Sequence, residues 1–195
     1  MAKADPEASK REKRKQIKWI ITIFLVTMVI SGTISFLSDI LMEGSSMAVA
    51  FMILLMIIVI GILFDIIGMA VASADEKPFH AMAARKVPGA KASIRLLRNA
   101  ERVSSICNDV VGDICGVVSG SASATIAAQI LQNFEFSMPQ IVGLLMSALC
   151  AGLTVGGKAI GKSFAVNSST KIVHTVGRII FALQNLTGGS KKKKK

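Results

Sequence analysis

Residues 47–74 read MAVAFMILLMIIVIGILFDIIGMAVASA, an apolar run broken by one ionisable side chain, Asp65. About 20 mostly apolar residues suffice for a helix to cross the hydrocarbon core of a bilayer, and a helix satisfies its own backbone where no water can. This stretch is longer than that and holds no proline, so it predicts a membrane-spanning helix. Three other segments have the same character, at 17–41, 104–131 and 138–165, the third span (104–131) being the least hydrophobic and the richest in small and polar residues. The fold class expected is an all-α membrane protein with four transmembrane helices.

The charges agree with that reading. Of 195 residues, 52% are hydrophobic and 18% charged, and 23 Lys and Arg stand against 12 Asp and Glu, giving a net charge of +11. A basic surface of this strength in a soluble domain would point to nucleic acid. Here no Lys or Arg occurs from Trp19 to Glu76 or from Val103 to Gly157, so the positive charge flanks the apolar runs and points to lipid headgroups and membrane orientation. The connections MEGSS (42–46) and QNFEFS (132–137) carry no positive charge, whereas residues 1–18 and the segment 77–102 carry seven each. The positive-inside rule then puts the N-terminus, the central basic segment and the C-terminus in the cytoplasm, with the chain multi-pass in the cell membrane. The first apolar stretch is too long for a signal peptide's core and reads as a retained span. Cys107, Cys115 and Cys150 lie inside apolar runs and behave as small buried residues.

The chain divides into a basic tail (1–16), a transmembrane domain (17–165) with a juxtamembrane segment at 76–103, an amphipathic helix (166–187) and a polybasic tail (188–195). Pro88 and Gly89 split the juxtamembrane segment into two helical pieces. Beyond them Lys91, Arg95, Arg98 and Arg102 recur at helical spacing, opposite Ala90, Ile94 and Leu97. Such a helix lies in the interface, its basic stripe toward anionic lipid headgroups. Near the C-terminus Ile172, Val176, Ile179, Ile180 and Leu183 share a face expected to dock under the bundle.

Ionisable groups within spans are costly and mark functional candidates. Asp65, Asn108, Asp109, Asp113 and Lys158 are the candidates for an ion site, Asp109 and Asp113 being four residues apart on one helix face. Carboxylate, amide and hydroxyl oxygens together suit a hard cation such as Mg²⁺; simple hydration or pairing with Arg102 or Lys158 is the other reading. Gly112, Gly116, Gly120 and Ala124 form a small-residue stripe for helix packing, within the protomer or across a dimer. The string GGKAIGKS (156–163) satisfies the phosphate-loop pattern but sits in an apolar helix with no room for an α/β sheet, so no nucleotide is expected. Asn167 and Asn185 begin glycosylation-type sequons on the cytoplasmic side, where the sugar is not added. His80 and His174 are isolated, and no nucleophile, base and orienting group occur together, so no enzyme activity and no catalytic residue are expected.

The order of motifs resembles the transmembrane domain of the CorB/CorC and cyclin-M magnesium transporters. That family has a span ending in F-S-x-S-E-T-A-L-T-S-A, a basic segment with G-A-r and L-L-e-N-P-d-R-l-l-S, an Asn-containing span, and G-E-[IV]-x-P-K. This chain has FDIIGMAVASAD (64–75), PGAKASIRLLRNAERVSS (88–105), NDVVGDI (108–114) and GKAIGK (157–162) in that order, with Gly89, Ala90, Leu96, Leu97, Asn99, Arg102 and Ser105 in place. The resemblance implies a homodimer in which Ser, Asn and Glu oxygens ligate a partly dehydrated Mg²⁺. The ion site is altered, however. The motif serines align with Asp65 and Ile67, the first motif's glutamate with Gly68, and that of G-E-[IV]-x-P-K with Lys158, which cannot ligate a cation while protonated. The asparagines match Asp109 and Asp113 only if the register shifts by two residues, and the 30 residues after the last span are too few for the family's CBS-pair domain. The expected function is therefore divalent-cation (magnesium or cobalt) transport or a derivative of it. The alternatives are a non-transporting membrane scaffold or partner subunit, and an anionic-lipid-binding membrane protein.

Overall fold

The computed structural model describes residues 6–42, 44–134 and 138–188. Residues 1–5 of the basic tail and 189–195 of the polybasic tail lie outside the described residues, as do parts of both short connections. The described residues are helical, with no strand: α1 (Pro6–Met42), α2 (Met47–Ser73), α3 (Lys77–Ala84), α4 (Ala90–Leu97), α5 (Ala100–Asn133), α6 (Pro139–Asn167) and α7 (Ser169–Gly188). The backbone of α5 passes through a π-helical stretch, Ile106–Gly112. Four of these are long and apolar enough to cross a membrane: Gln16–Met42 of α1, and all of α2, α5 and α6. Their ends agree with the segments read from the sequence to within about one turn.

Helix α2 is central and packs against α5, α6 and α7, while α1 lies on the outside of α5. Three apolar clusters hold the bundle: a small one of Val110, Ile114 and Val118 on α5 packs against Ile23 of α1 and Ile57 of α2, and two are larger. One joins Leu54 and Ile58 of α2 to Ile126 of α5 and to Met146 and Cys150 of α6. The other, at the basic end, joins Ala70 and Val71 to Phe79, Leu97, Ala165 and Val173. Many outward-facing residues are large and apolar, among them Val29 and Phe36 on α1 and Leu144 and Ile160 on α6, a surface suited to contact with lipid. Several hydroxyl groups of the long helices turn back onto their own helices: Thr33 donates to Val29 O at 2.8 Å, Ser123 to Gly120 O at 2.8 Å and Thr154 to Cys150 O at 2.8 Å. Each side chain thereby meets its polar need without leaving an apolar setting.

Close helix approach rests on glycines outside the predicted stripe. A Cβ on Gly61 would stand 2.8 Å from Cys115 Cβ, and one on Gly161 would stand 2.7 Å from Ile66 Cγ1; Gly157 is likewise closed by Ile62. The GGKAIGKS string is thus interior to an unbroken helix and receives two isoleucines of α2. By contrast, nothing lies within 4 Å of a Cβ placed on Gly116 or Gly120. With Ala124 they face outward, and the buried face of that part of α5 runs through Val118, Ala122, Ser123 and Ile126.

At the basic end α3, α4 and α7 form a cap beneath the bundle. Pro78 opens α3, and Gly89 begins α4 with φ +87°, a left-handed backbone that glycine adopts without steric cost. A Cβ there would also meet Arg178 N at 2.7 Å, so α4 and α7 touch backbone to backbone. Ala90, Ala92, Ser93 and Leu97 face inward, and Lys91, Arg95 and Arg98 face out. Two expectations differ in detail. On α7 the buried face centres on Val173 and Gly177, while Ile179 and Leu183 are 55% and 56% exposed. The rotation follows from Gly177, which admits Ser93 and the Gly89 carbonyl of α4 to its backbone. Arg102 belongs to α5 rather than to the juxtamembrane helix, because the chain turns at Asn99, whose side chain donates to Arg95 O at 2.9 Å.

Candidate functional site

Between the two larger apolar clusters three helices bring charges together. Asp65 lies about two turns before the end of α2 and Lys158 slightly more than two turns before the end of α6, roughly 12–14 Å from the basic end at the rise of an α-helix. Lys158 Nζ stands 3.9 Å from Asp65 Oδ1 and 4.0 Å from Asp113 Oδ1, and donates to the carbonyl of Gly112 at 3.4 Å. Gly112 closes the π segment of α5 and is buried, and a Cβ there would sit 3.4 Å from the ammonium. The glycine therefore leaves room for the lysine tip.

The two carboxylates differ in setting. The Asp65 side chain is 6% exposed, and its second oxygen, Oδ2, is buried without a hydrogen-bond partner. The Asp113 side chain is 72% exposed and reaches the lysine from the rim. Lys158 is therefore the compensating charge of a buried aspartate, and taking it away would leave a charge where none is tolerated. Counting Asp65, Asp113 and Lys158, the cluster carries one net negative charge; without the ammonium it would carry two.

Asn108 and Asp109 do not join this cluster directly. Asn108 Nδ2 donates to Ser104 Oγ at 3.2 Å, and its Oδ1 is buried without a partner against Gly68, where a Cβ would collide with it. Asp109 turns toward α1 and accepts a hydrogen bond from Ser105 Oγ at 2.7 Å. Among the described residues no group of three His, Cys, Asp or Glu side chains converges as a metal site. A hard cation would have to draw also on carbonyl, amide and hydroxyl oxygens, of which the Gly112 carbonyl lies at the Lys158 ammonium.

The basic residues expected at a lipid surface are all exposed: Lys91, Arg95 and Arg98 on the outer side of α4, and Arg102 at the start of α5. The Arg102 guanidinium stacks over Trp19 at 5.4 Å, tying α1 to α5, a contact worth about 1 kcal/mol. Reading the sequence missed the π segment, the Gly112 carbonyl and the packing glycines Gly61, Gly68, Gly157 and Gly161. Only Gly157 and Gly161 had a signal, a small-x-x-x-small pair inside the phosphate-loop-like string.

No protein-family model matches the chain, and no curated protein or solved structure matches it.

Proposed function

We propose that the chain is a multi-pass membrane protein of CorB/CorC type, derived from a divalent-cation transporter, in which the ammonium of Lys158 stands where relatives hold the cation. The observation that carries this reading is Lys158 Nζ between Asp65 and Asp113, with the Gly112 carbonyl as a third oxygen. Lysine occupies the motif position of a ligating glutamate, so an acceptor has been exchanged for a donor and a site for a cation now carries its own. With the lysine in place, Mg²⁺ has to displace a tethered charge to enter. Four apolar helices support the membrane setting, and the distribution of Lys and Arg supports termini and basic segment in the cytoplasm. The outward basic face of Lys91, Arg95 and Arg98 suits anionic headgroups. The outward Gly116, Gly120 and Ala124 suit close approach of a second copy in a homodimer.

The test is Mg²⁺ titration of the purified protein with thermal unfolding as readout, beside Mg²⁺ flux in proteoliposomes. Wild type binds weakly or not at all, whereas Lys158→Glu gains Mg²⁺-dependent stabilisation because a carboxylate replaces the resident cation. Tight binding by wild type that disappears in Lys158→Glu overturns the proposal and makes the chain a direct transporter. The same ammonium favours a second reading, a scaffold or partner subunit in which the ion pair only locks three helices. On that reading neither protein carries flux and Lys158→Glu gains no Mg²⁺ response.

A further inference from the structure

One turn before Asp113, Asp109 of α5 lines a second feature, which the ion pair of Lys158 does not use. Between α1 and α5 lies a cleft of 670 Å³, inside the range of small-molecule sites. Its walls are largely apolar, with Trp19, Phe24 and Met28 among them, and its polar groups are Thr27, Ser31, Ser105 and Asp109. The Asp109 carboxylate is exposed and accepts a hydrogen bond from Ser105 through Oδ2, and among the described residues no cation is paired with it. The Thr27 hydroxyl is buried with no partner. A carboxylate beside apolar walls at membrane depth is expensive unless a positive charge meets it.

We propose that this cleft binds a hydrophobic organic cation, its ammonium on Asp109 and its apolar body against Phe24 and Met28. Charge complementarity selects a cation, and the apolar walls select a body that a hydrated metal ion lacks. Depth decides against the headgroup of a bilayer lipid. Asp109 lies seven residues beyond Arg102, about 10 Å along the helix, and Arg102 with Trp19 marks the rim. A phospholipid amine would have to be drawn that far below its own plane, whereas a free amphiphile enters sideways between the helices. The Arg102 guanidinium is held over the Trp19 ring at the rim, so Asp109 is left as the charged group lining the cleft itself.

Trp19 is the single tryptophan of the chain and lines the cleft, so it reports occupancy directly. The full chain in phosphatidylcholine nanodiscs is titrated with decyltrimethylammonium while Trp19 emission is followed. The expected result is a saturable change that decanol and decyl sulfate, which share the chain but lack the cation, do not produce. Asp109→Asn weakens binding at least about tenfold, equivalent to 1.4 kcal/mol. Asp39→Asn, on α1 outside the cleft, leaves it unchanged. Equal response to decanol, or unchanged affinity in a folded Asp109→Asn, overturns the proposal. If phosphatidylethanolamine nanodiscs weaken the apparent affinity tenfold, a lipid headgroup fills the cleft and the free-ligand proposal falls. Should Asp109→Asn fail to fold, the three decyl probes on wild type still decide the outcome.

Discussion

Replacing Lys158 by Met removes a charge and keeps most of the side-chain volume, so the loss reports the ion pair. At 3.9 Å from Asp65 Oδ1, an effective dielectric of about 20 gives an attraction of about 4 kcal/mol. Breaking a buried pair from one side costs about 3–5 kcal/mol, because the remaining charge keeps its desolvation cost. The pair is longer than a hydrogen bond, which favours the lower end. Lys158→Met is therefore expected to lower unfolding free energy by about 3 kcal/mol. Asp113 stands almost as near but is 72% exposed, so Asp113→Asn costs under about 1 kcal/mol. The assay is reversible unfolding in mixed micelles followed by Trp19 fluorescence, run as a double-mutant cycle with Asp65→Asn. The double variant should recover at least about 2 kcal/mol of the summed single losses. Strictly additive losses, or a Lys158→Met cost below about 1 kcal/mol, would refute the claim that the lysine neutralises Asp65.

Gly161→Leu should cost about 3 kcal/mol or more through collision with Ile66, whereas Gly120→Leu should leave protomer stability within about 0.5 kcal/mol. Chemical unfolding measures both, and light scattering of wild type and Gly120→Leu tests the proposed dimer, which splits in the variant if the outward stripe is its interface. Gly89→Ala should destabilise by about 1–2 kcal/mol for the left-handed backbone alone; normal stability would mean that α4 and α7 are not in backbone contact. Single cysteines introduced at Ser45 and Asn133 in a cysteine-free background should react with impermeant reagents from outside the cell, and one at Lys91 should not. Outside labelling at Lys91 would invert the proposed topology.

The four long apolar helices were legible because their signal is length and apolarity, properties of a segment taken alone. The ion pair was only half legible. The sequence marks Asp65, Asp109, Asp113 and Lys158 as costly within apolar helices, but choosing among them requires each helix's rotation about its axis. Asp109 and Asp113, four residues apart, do share the outward side of α5. Yet one faces α1 and accepts from Ser105, while the other leans to α6 and Lys158. Nothing in the local spacing distinguishes those neighbours.

What orients the helices is where backbones touch, and backbones touch where both surfaces allow it. Small residues on one helix are insufficient without bulk on another to enter the gap. Gly157 and Gly161 are filled by Ile62 and Ile66 of α2, whereas Gly116 and Gly120 meet nothing within 4 Å among the described residues. Isoleucines at positions 62 and 66 present a ridge at the four-residue spacing of the glycine pair, and Asp65 lies between them in sequence. The contact that seats α6 on α2 therefore also sets the height and rotation at which Lys158, next to Gly157, reaches Asp65. Packing and charge pairing are consequences of one register, so a bulky residue at Gly161 should separate the ammonium from the carboxylate as well as the helices.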